Sequence, residues 1–214
     1  MIFSEEKINA LRDRIVTNEN ISQKRRNHIL EVEKMAVRLG RIYAPDKLDV
    51  ISAAALLHDY TKELCYDRQL AVCIEYGYIP TEGELSAPKT LHAITAALII
   101  PKSFPDFDSP EVVSAVRWHT TGHAGMTLIE KLIFLADYID ESRTYDECVG
   151  LRRAFFEKEP EKMTESERLA HLSDILILAY EKTVRSLLDR RRPICPDTVA
   201  AYNELVCEKI KTGV

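Results

Sequence analysis

Hydrophobic positions return at intervals of three and four residues along nearly the whole chain, and no pair of segments shows the strict alternation of paired strands. That period predicts an all-α fold, with helices near residues 4–17, 22–41, 47–60, 67–77, 89–100, 110–119, 127–141, 145–157, 164–190 and 196–211. Thr127 with Glu130 and Thr164 with Glu167 match a capping box, in which hydroxyl and carboxylate each accept from one of the helix's free N–H groups. Ser109-Pro110 sets an N-cap before a proline at the first helical position, where its missing N–H costs nothing. Breaks are predicted at Gly40, Gly77, Pro80, Gly83, Pro101, Pro105, the Gly122 to Gly125 turn and Pro193.

No repeat, low-complexity tract or long linker divides the chain, so one domain over residues 1–214 is the simplest organisation. Its core is expected at about 18–145, with C-terminal helices 146–214 packed on it. The amphipathic stretch from Thr164 to Leu188, with Leu169, Leu172, Leu176, Ala179 and Leu187 near helical spacing, packs back onto that core or supplies a self-association face for a homodimer.

Composition narrows the classes. A chain of 214 residues can bury roughly 70% of its unfolded surface, enough for a core without disulfides. The five cysteines (Cys65, Cys73, Cys148, Cys195, Cys207) are odd in number, widely spaced and free of C-x-x-C, which fits a reducing cytoplasm. Acidic residues stand where a signal peptide would be basic, and no run of 18 apolar residues occurs, so a soluble, untargeted protein is expected. A net charge of −5 argues against broad binding to nucleic acid or an anionic membrane. The Arg190-Arg191-Arg192 triplet closes a predicted helix, where cations favour the negative end of the dipole.

The polar residues set into the apolar stripes change the picture most. His28 shares a helix face with Val32, Met35 and Leu39, and His119 shares one with Val112 and Val116. His58 and Asp59 follow the apolar run Ala53 to Leu57, near a helix end where adjacent residues can both turn to one centre. Asp137 lies in the apolar stretch Leu132 to Ala136, one turn after Ile133, and His92 opens another predicted helix. A carboxylate buried among apolar residues needs a partner. One metal site satisfies all six groups at once, whereas any single histidine among them would read as a hydrogen-bonded core residue. His123, in the glycine-flanked loop, and His171, in the C-terminal helix, stay outside this set. The donors are nitrogen and oxygen only, which suits iron, manganese, zinc and cobalt alike.

A separated His, a contiguous His-Asp and a distant Asp resemble the HD superfamily of metal-dependent phosphohydrolases, here as His28, His58-Asp59 and Asp137. The added His92 and His119 resemble its two-metal version. The stretches R-R-N-H at 25–28, L-L-H-D-Y-T-K-E at 56–63, W-H-T-T-G at 118–122 and I-F-L-A-D-Y-I-D-E-S-R at 133–143 are similar to the YqeK-type subfamily, associated with symmetrical cleavage of diadenosine tetraphosphate to two ADP. The likeness spans about residues 18–145. It implies that His28, His58, Asp59 and Asp137 hold one divalent metal ion, that His92 and His119 hold a second, and that Asp59 bridges them. Iron is the metal this resemblance implies. Where the subfamily usually has Glu-Pro, this chain reads Asp140-Glu141-Ser142.

Cationic helpers are expected along a phosphate path. Arg25 shares the face of His28 and Lys62 follows His58 by four residues; each reaches a bound phosphate or is a solvated helix charge. Thr120, Thr121 and Gly122 offer hydroxyls and backbone N–H groups to phosphate, or simply end a helix. Arg143 serves a distal phosphate or pairs with Asp140. The leading expectation is a dinuclear hydrolase of dinucleoside polyphosphates, with Asp59 and Lys62 closest to the chemistry. A nucleotide phosphomonoesterase is the alternative enzyme, and a non-catalytic nucleotide sensor the alternative from another class.

Overall fold

The computed structural model describes residues 2–212, and every predicted helix forms within them. The described residues hold eleven α-helices and no strand: α1 Glu5–Val16, α2 Gln23–Tyr43, α3 Leu48–Leu57, α4 Tyr66–Glu75, α5 Glu82–Ser86, α6 Leu91–Ser103, α7 Pro110–Trp118, α8 Leu128–Ile139, α9 Asp146–Phe156, α10 Glu165–Asp189 and α11 Pro196–Thr212. The capping boxes at Thr127 and Thr164 and the N-cap at Ser109 form as expected, each contributing about 1 kcal/mol. The helix that sequence reading missed, α5, carries the same signal, a capping box of Thr81 with Glu84. Its five residues are too few to show a period.

Three predicted breaks lie inside helices instead. Gly83 falls within α5. Pro101 lies in the last turn of α6, where only two residues follow, and the Phe104 N–H closes the helix on the Ile100 carbonyl at 2.8 Å. Gly40 sits within α2 because α3 crosses there: a Cβ at that position would meet Ile51 Cδ1 at 2.8 Å and Leu48 Cδ2 at 2.9 Å. Gly40 permits a close helix contact, a need that a single sequence does not display.

Helix α2 packs against α3 and α8, and α7 packs against α3, α6 and α8. These five helices and the turns that end α3 and α7 position all six metal-capable side chains. The expected stripes face inward: Val32, Met35 and Leu39 on α2, and Val112 and Val116 on α7, are buried. Helix α10 packs on α9 and α11, with a smaller contact on α8. Its stripe is centred on Leu172, Ile175, Leu176, Ala179 and Tyr180, while Leu169, expected within it, is exposed. One hydrophobic cluster runs from Phe3 to Leu205, so the C-terminal helices share the core that supports the site. No helix among the described residues is long and apolar enough to cross a membrane.

Candidate metal centre

Helix α3 was expected to reach residue 60 but ends at Leu57, with His58 as its C-cap. Tight turns follow: the Tyr60 N–H donates to the Leu57 carbonyl, Lys62 to Asp59 and Leu64 to Thr61, each at 3.1 Å. Successive helical residues point about 100° apart, and leaving the helix here lets His58 and Asp59 face the same centre. His119 is likewise the C-cap of α7. His28 on α2, His92 on α6 and Asp137 on α8 enter from three further helices.

The six groups converge. His28 Nε2 lies 3.0 Å from Asp137 Oδ1 and 3.6 Å from Asp59 Oδ2. His58 Nε2 lies 3.5 Å from Asp59 Oδ2 and 3.9 Å from Asp137 Oδ1. The other carboxylate oxygen of Asp59, Oδ1, is 3.1 Å from His92 Nε2 and 3.5 Å from His119 Nε2. Asp59 therefore turns one oxygen toward each pair of histidines. Among the described residues two sets have ligand atoms close enough for one ion, His28 with His58 and Asp137, and His58 with Asp59 and His119.

Three of the imidazoles are held the same way. His58, His92 and His119 place Nδ1 at 2.6, 2.8 and 2.8 Å from the backbone carbonyls of Ala55, Lys89 and Val116, each one turn earlier. With Nδ1–H donated there, Nε2 presents a lone pair to the centre. His92 Nε2 and His119 Nε2 stand 3.0 Å apart, two lone pairs facing each other and calling for a cation or donor between them. His28 Nε2, His58 Nε2 and Asp59 Oδ1 are buried without a hydrogen bond. Buried ring nitrogens and a carboxylate oxygen left without hydrogen bonds are what a divalent metal satisfies, so these residues fit one.

The electrostatics agree. Burial and the Lys62 charge push the His92 pKa down to about 3, and burial lowers that of His119, so both stay neutral as ligands must. Burial opposes the charged forms of Asp59 and Asp137. Even so, His58 and Lys62 hold Asp59, and Arg143 with His28 hold Asp137, well below the usual carboxylate range. For His28, burial is outweighed by the carboxylates of Asp137 and Asp140, which raise it to about 9. Binding a cation at His28 would therefore displace a proton.

The expected phosphate helpers divide. Arg25 pairs directly with Asp59 Oδ2. Lys62 Nζ lies 2.9 Å from His92 Nε2 and 3.8 Å from Asp59 Oδ1, and burial lowers its pKa. Neither is a solvated helix charge. The Thr120 hydroxyl is 3.0 Å from His92 Nε2 and 2.9 Å from His119 Nε2, at the centre itself. Thr121 is buried with its hydroxyl unpartnered. Gly122 has φ +62° and spends its N–H on the Trp118 carbonyl at 2.9 Å, so it shapes the turn rather than offering a free donor. Arg143 binds Asp137 Oδ1 and the Asp137 carbonyl, both at 2.6 Å, more closely than it approaches Asp140 Oδ2 at 3.4 Å. Its main partner was not among the expected ones, because the chain turns back after α8.

His123 stacks near Trp118 and lies 3.4 Å from Glu130, and His171 meets the Phe155 carbonyl at 3.0 Å; neither joins the centre. Sequence reading missed Asp140 and Ser142 as neighbours of His28. An aspartate directly after the mainly apolar segment that ends at Ile139 was the available signal, and its burial is what the structure adds.

A Cβ at Gly122 would collide with the Tyr180 hydroxyl, in a backbone region that L-residues adopt at a cost. Gly122→Ala is expected to destabilise the fold by about 2–5 kcal/mol, combining left-handed strain with overpacking. Denaturant unfolding measures this, and adding Tyr180→Phe should restore part of the loss. No recovery in the double variant would remove the steric component.

The HD domain family matches residues 25–142, more than half of the chain. A symmetrical bis(5'-nucleosyl)-tetraphosphatase from Halalkalibacterium halodurans is 28% identical over 89% of this chain and 93% of its own length. One of the same description from Bacillus subtilis is 28% identical over 88% and 92%. A third, from Staphylococcus aureus, is 33% identical over 60% of this chain and 65% of its own. Among solved structures, a protein from Clostridium acetobutylicum described as a predicted HD superfamily hydrolase involved in NAD metabolism superposes with a TM-score of 0.79 at 26% identity, covering 97% of this chain and 99% of that one. The matched segment begins at Arg25 and ends at Ser142, spanning all six converging side chains, and by sequence and fold the chain belongs to the HD domain family.

Proposed function

We propose that this protein is a metal-dependent phosphohydrolase that cleaves diadenosine tetraphosphate, or a related dinucleoside polyphosphate, symmetrically to two ADP. The observation that carries this reading is the division of Asp59, with Oδ2 toward His28 and His58 and Oδ1 toward His92 and His119. That division supports a two-ion centre in which Asp59 bridges, His28, His58 and Asp137 complete one side, and His92 and His119 complete the other. Iron, manganese, cobalt and zinc all suit the donor set, with iron favoured by the family resemblance. The names of the three similar tetraphosphatases support the substrate and the cleavage position.

Two divalent cations in such a centre supply an activated water and neutralise charge on the phosphoryl oxygens. The chain's own residues supply the rest. Arg25 and Lys62 approach the centre from two sides and can transfer from Asp59 and His92 to the oxygens of an inner phosphate. Lys62, its pKa lowered by burial, is placed to stabilise the oxygen that leaves as the inner P–O bond breaks. The Thr120 hydroxyl adds a donor between His92 and His119, Thr121 has an uncommitted one, and Gly122 fixes the turn that presents them. Arg143, with a third of its side chain exposed beside Asp137, is the group for a flanking phosphate. A tetraphosphate needs this many cationic contacts; a monophosphate does not.

We read the chain as one folding unit, supported by the continuous cluster from Phe3 to Leu205. Five unpaired cysteines support a cytoplasmic location. The net charge of −5 leaves nucleic acid and anionic membranes without a broad electrostatic attraction.

Chromatography of a diadenosine tetraphosphate digest tests the cleavage position. ADP as sole product is expected. Equal AMP and ATP would mean asymmetric cleavage, and faster release of inorganic phosphate from nucleoside monophosphates would favour a phosphomonoesterase.

A further inference from the structure

His28 differs from the other three histidines of the centre in what holds the far side of its ring. For His58, His92 and His119 that partner is a carbonyl one turn back on the same segment, supplied by the helix itself. His28 relies on side chains distant in sequence: its Nδ1 lies 3.1 Å from Ser142 Oγ and 3.5 Å from Asp140 Oδ2. Asp140 is fully buried. Its Oδ1 accepts from the Ser142 N–H at 2.9 Å and from the Ser142 hydroxyl. With its proton committed to Asp140, the Ser142 oxygen is left to accept from His28 Nδ1–H. Oδ2 has no hydrogen bond and faces both His28 Nδ1 and, at 3.4 Å, Arg143 Nε. Arg152 fixes the backbone behind it by donating to the Asp140 and Ile139 carbonyls.

We infer that Asp140, acting directly and through Ser142, is the positioning residue for His28, keeping the proton on Nδ1 so that Nε2 is offered to the metal. A carboxylate behind a ligating imidazole sets its tautomer and ring orientation and raises its basicity. A buried carboxylate with one oxygen unbonded is otherwise an uncompensated cost. The same oxygen also faces Arg143, so one anchor serves a ligand and a phosphate-binding cation, and the loop after α8 is part of the centre. This rests on His28 being a ligand, as proposed above.

The test uses the full chain stripped with chelator, titrated with Co2+ and followed by visible absorption, with the ring tautomers read from 15N NMR of the stripped protein at a pH high enough for the His28 ring to be neutral. Asp140→Asn is expected to weaken binding of one Co2+ by about 10- to 100-fold and to leave His28 a mixture of tautomers. The Nδ1–H signatures of His58, His92 and His119 should be unchanged. Ser142→Ala should act in the same direction by a smaller factor, and because Ser142 is exposed it carries the test alone if Asp140→Asn fails to fold. His28→Ala separates the two ideas. If it weakens Co2+ binding while Asp140→Asn and Ser142→Ala bind like wild type with Nδ1–H retained, the positioning role is overturned and the ligand assignment stands. If His28→Ala also leaves binding unchanged, both fall. A lower melting temperature for stripped Asp140→Asn with wild-type Co2+ affinity and tautomer would mark Asp140 as a helix cap only, and would overturn the inference.

Discussion

Replacing Asp59 by Asn is expected to lower turnover by at least on the order of 10³-fold, the largest loss of any single substitution in this centre. The reason is geometric. Asp59 is buried at the meeting point of all four histidines, with one oxygen toward each pair, and it also pairs with Arg25. An amide keeps the shape but removes the negative charge and puts an N–H2 group where one oxygen faced imidazole lone pairs. Lys62→Ala, which removes one of several cationic contacts, should cost less, about 10²-fold. Steady-state kinetics on both variants decides the point. Equal losses, or a greater loss at Lys62, would mean that Asp59 does not bridge.

His92→Ala should bring the metal content down from two ions per chain toward one and lower turnover on the order of 10²–10³-fold. His92 contributes Nε2 to the side of the centre that His119 and Asp59 Oδ1 complete, and its removal leaves too few donors there. The fold should persist. The position lies in the first turn of α6, alanine has the higher helix propensity, and the lost Nδ1 hydrogen bond to Lys89 is worth about 1 kcal/mol. Elemental analysis of protein purified without chelators, alongside circular dichroism, checks both halves. Unchanged stoichiometry with intact helicity would move His92 out of the ligand set.

Ten helices were legible because their buried stripes repeat with the helical period, and their starts because capping chemistry is local. The limits of that reading were also local. Leaving α3 at residue 57 instead of 60 is a choice made by the turns that bring His58 and Asp59 round together, and the apolar run before them carries no mark of it. Gly40 and Pro101 carried the signature of breaks, yet the crossing of α3 requires the first and the end of α6 tolerates the second.

The six metal-capable residues could be chosen from the sequence alone, since polar groups on otherwise buried faces demand partners. Their shared centre followed from that demand and from the family resemblance. Which oxygen of Asp59 faces which histidines, and which cation pairs with which ligand, are distances between segments far apart in the chain. Arg143 closing on Asp137, Arg25 on Asp59, and Asp140 with Ser142 standing behind His28 are likewise set by how α2, α3 and α8 pack. Periodicity and capping report each helix to itself. Only the packed helices bring donors from different segments within reach of one another, and at that range the identities of partners are decided.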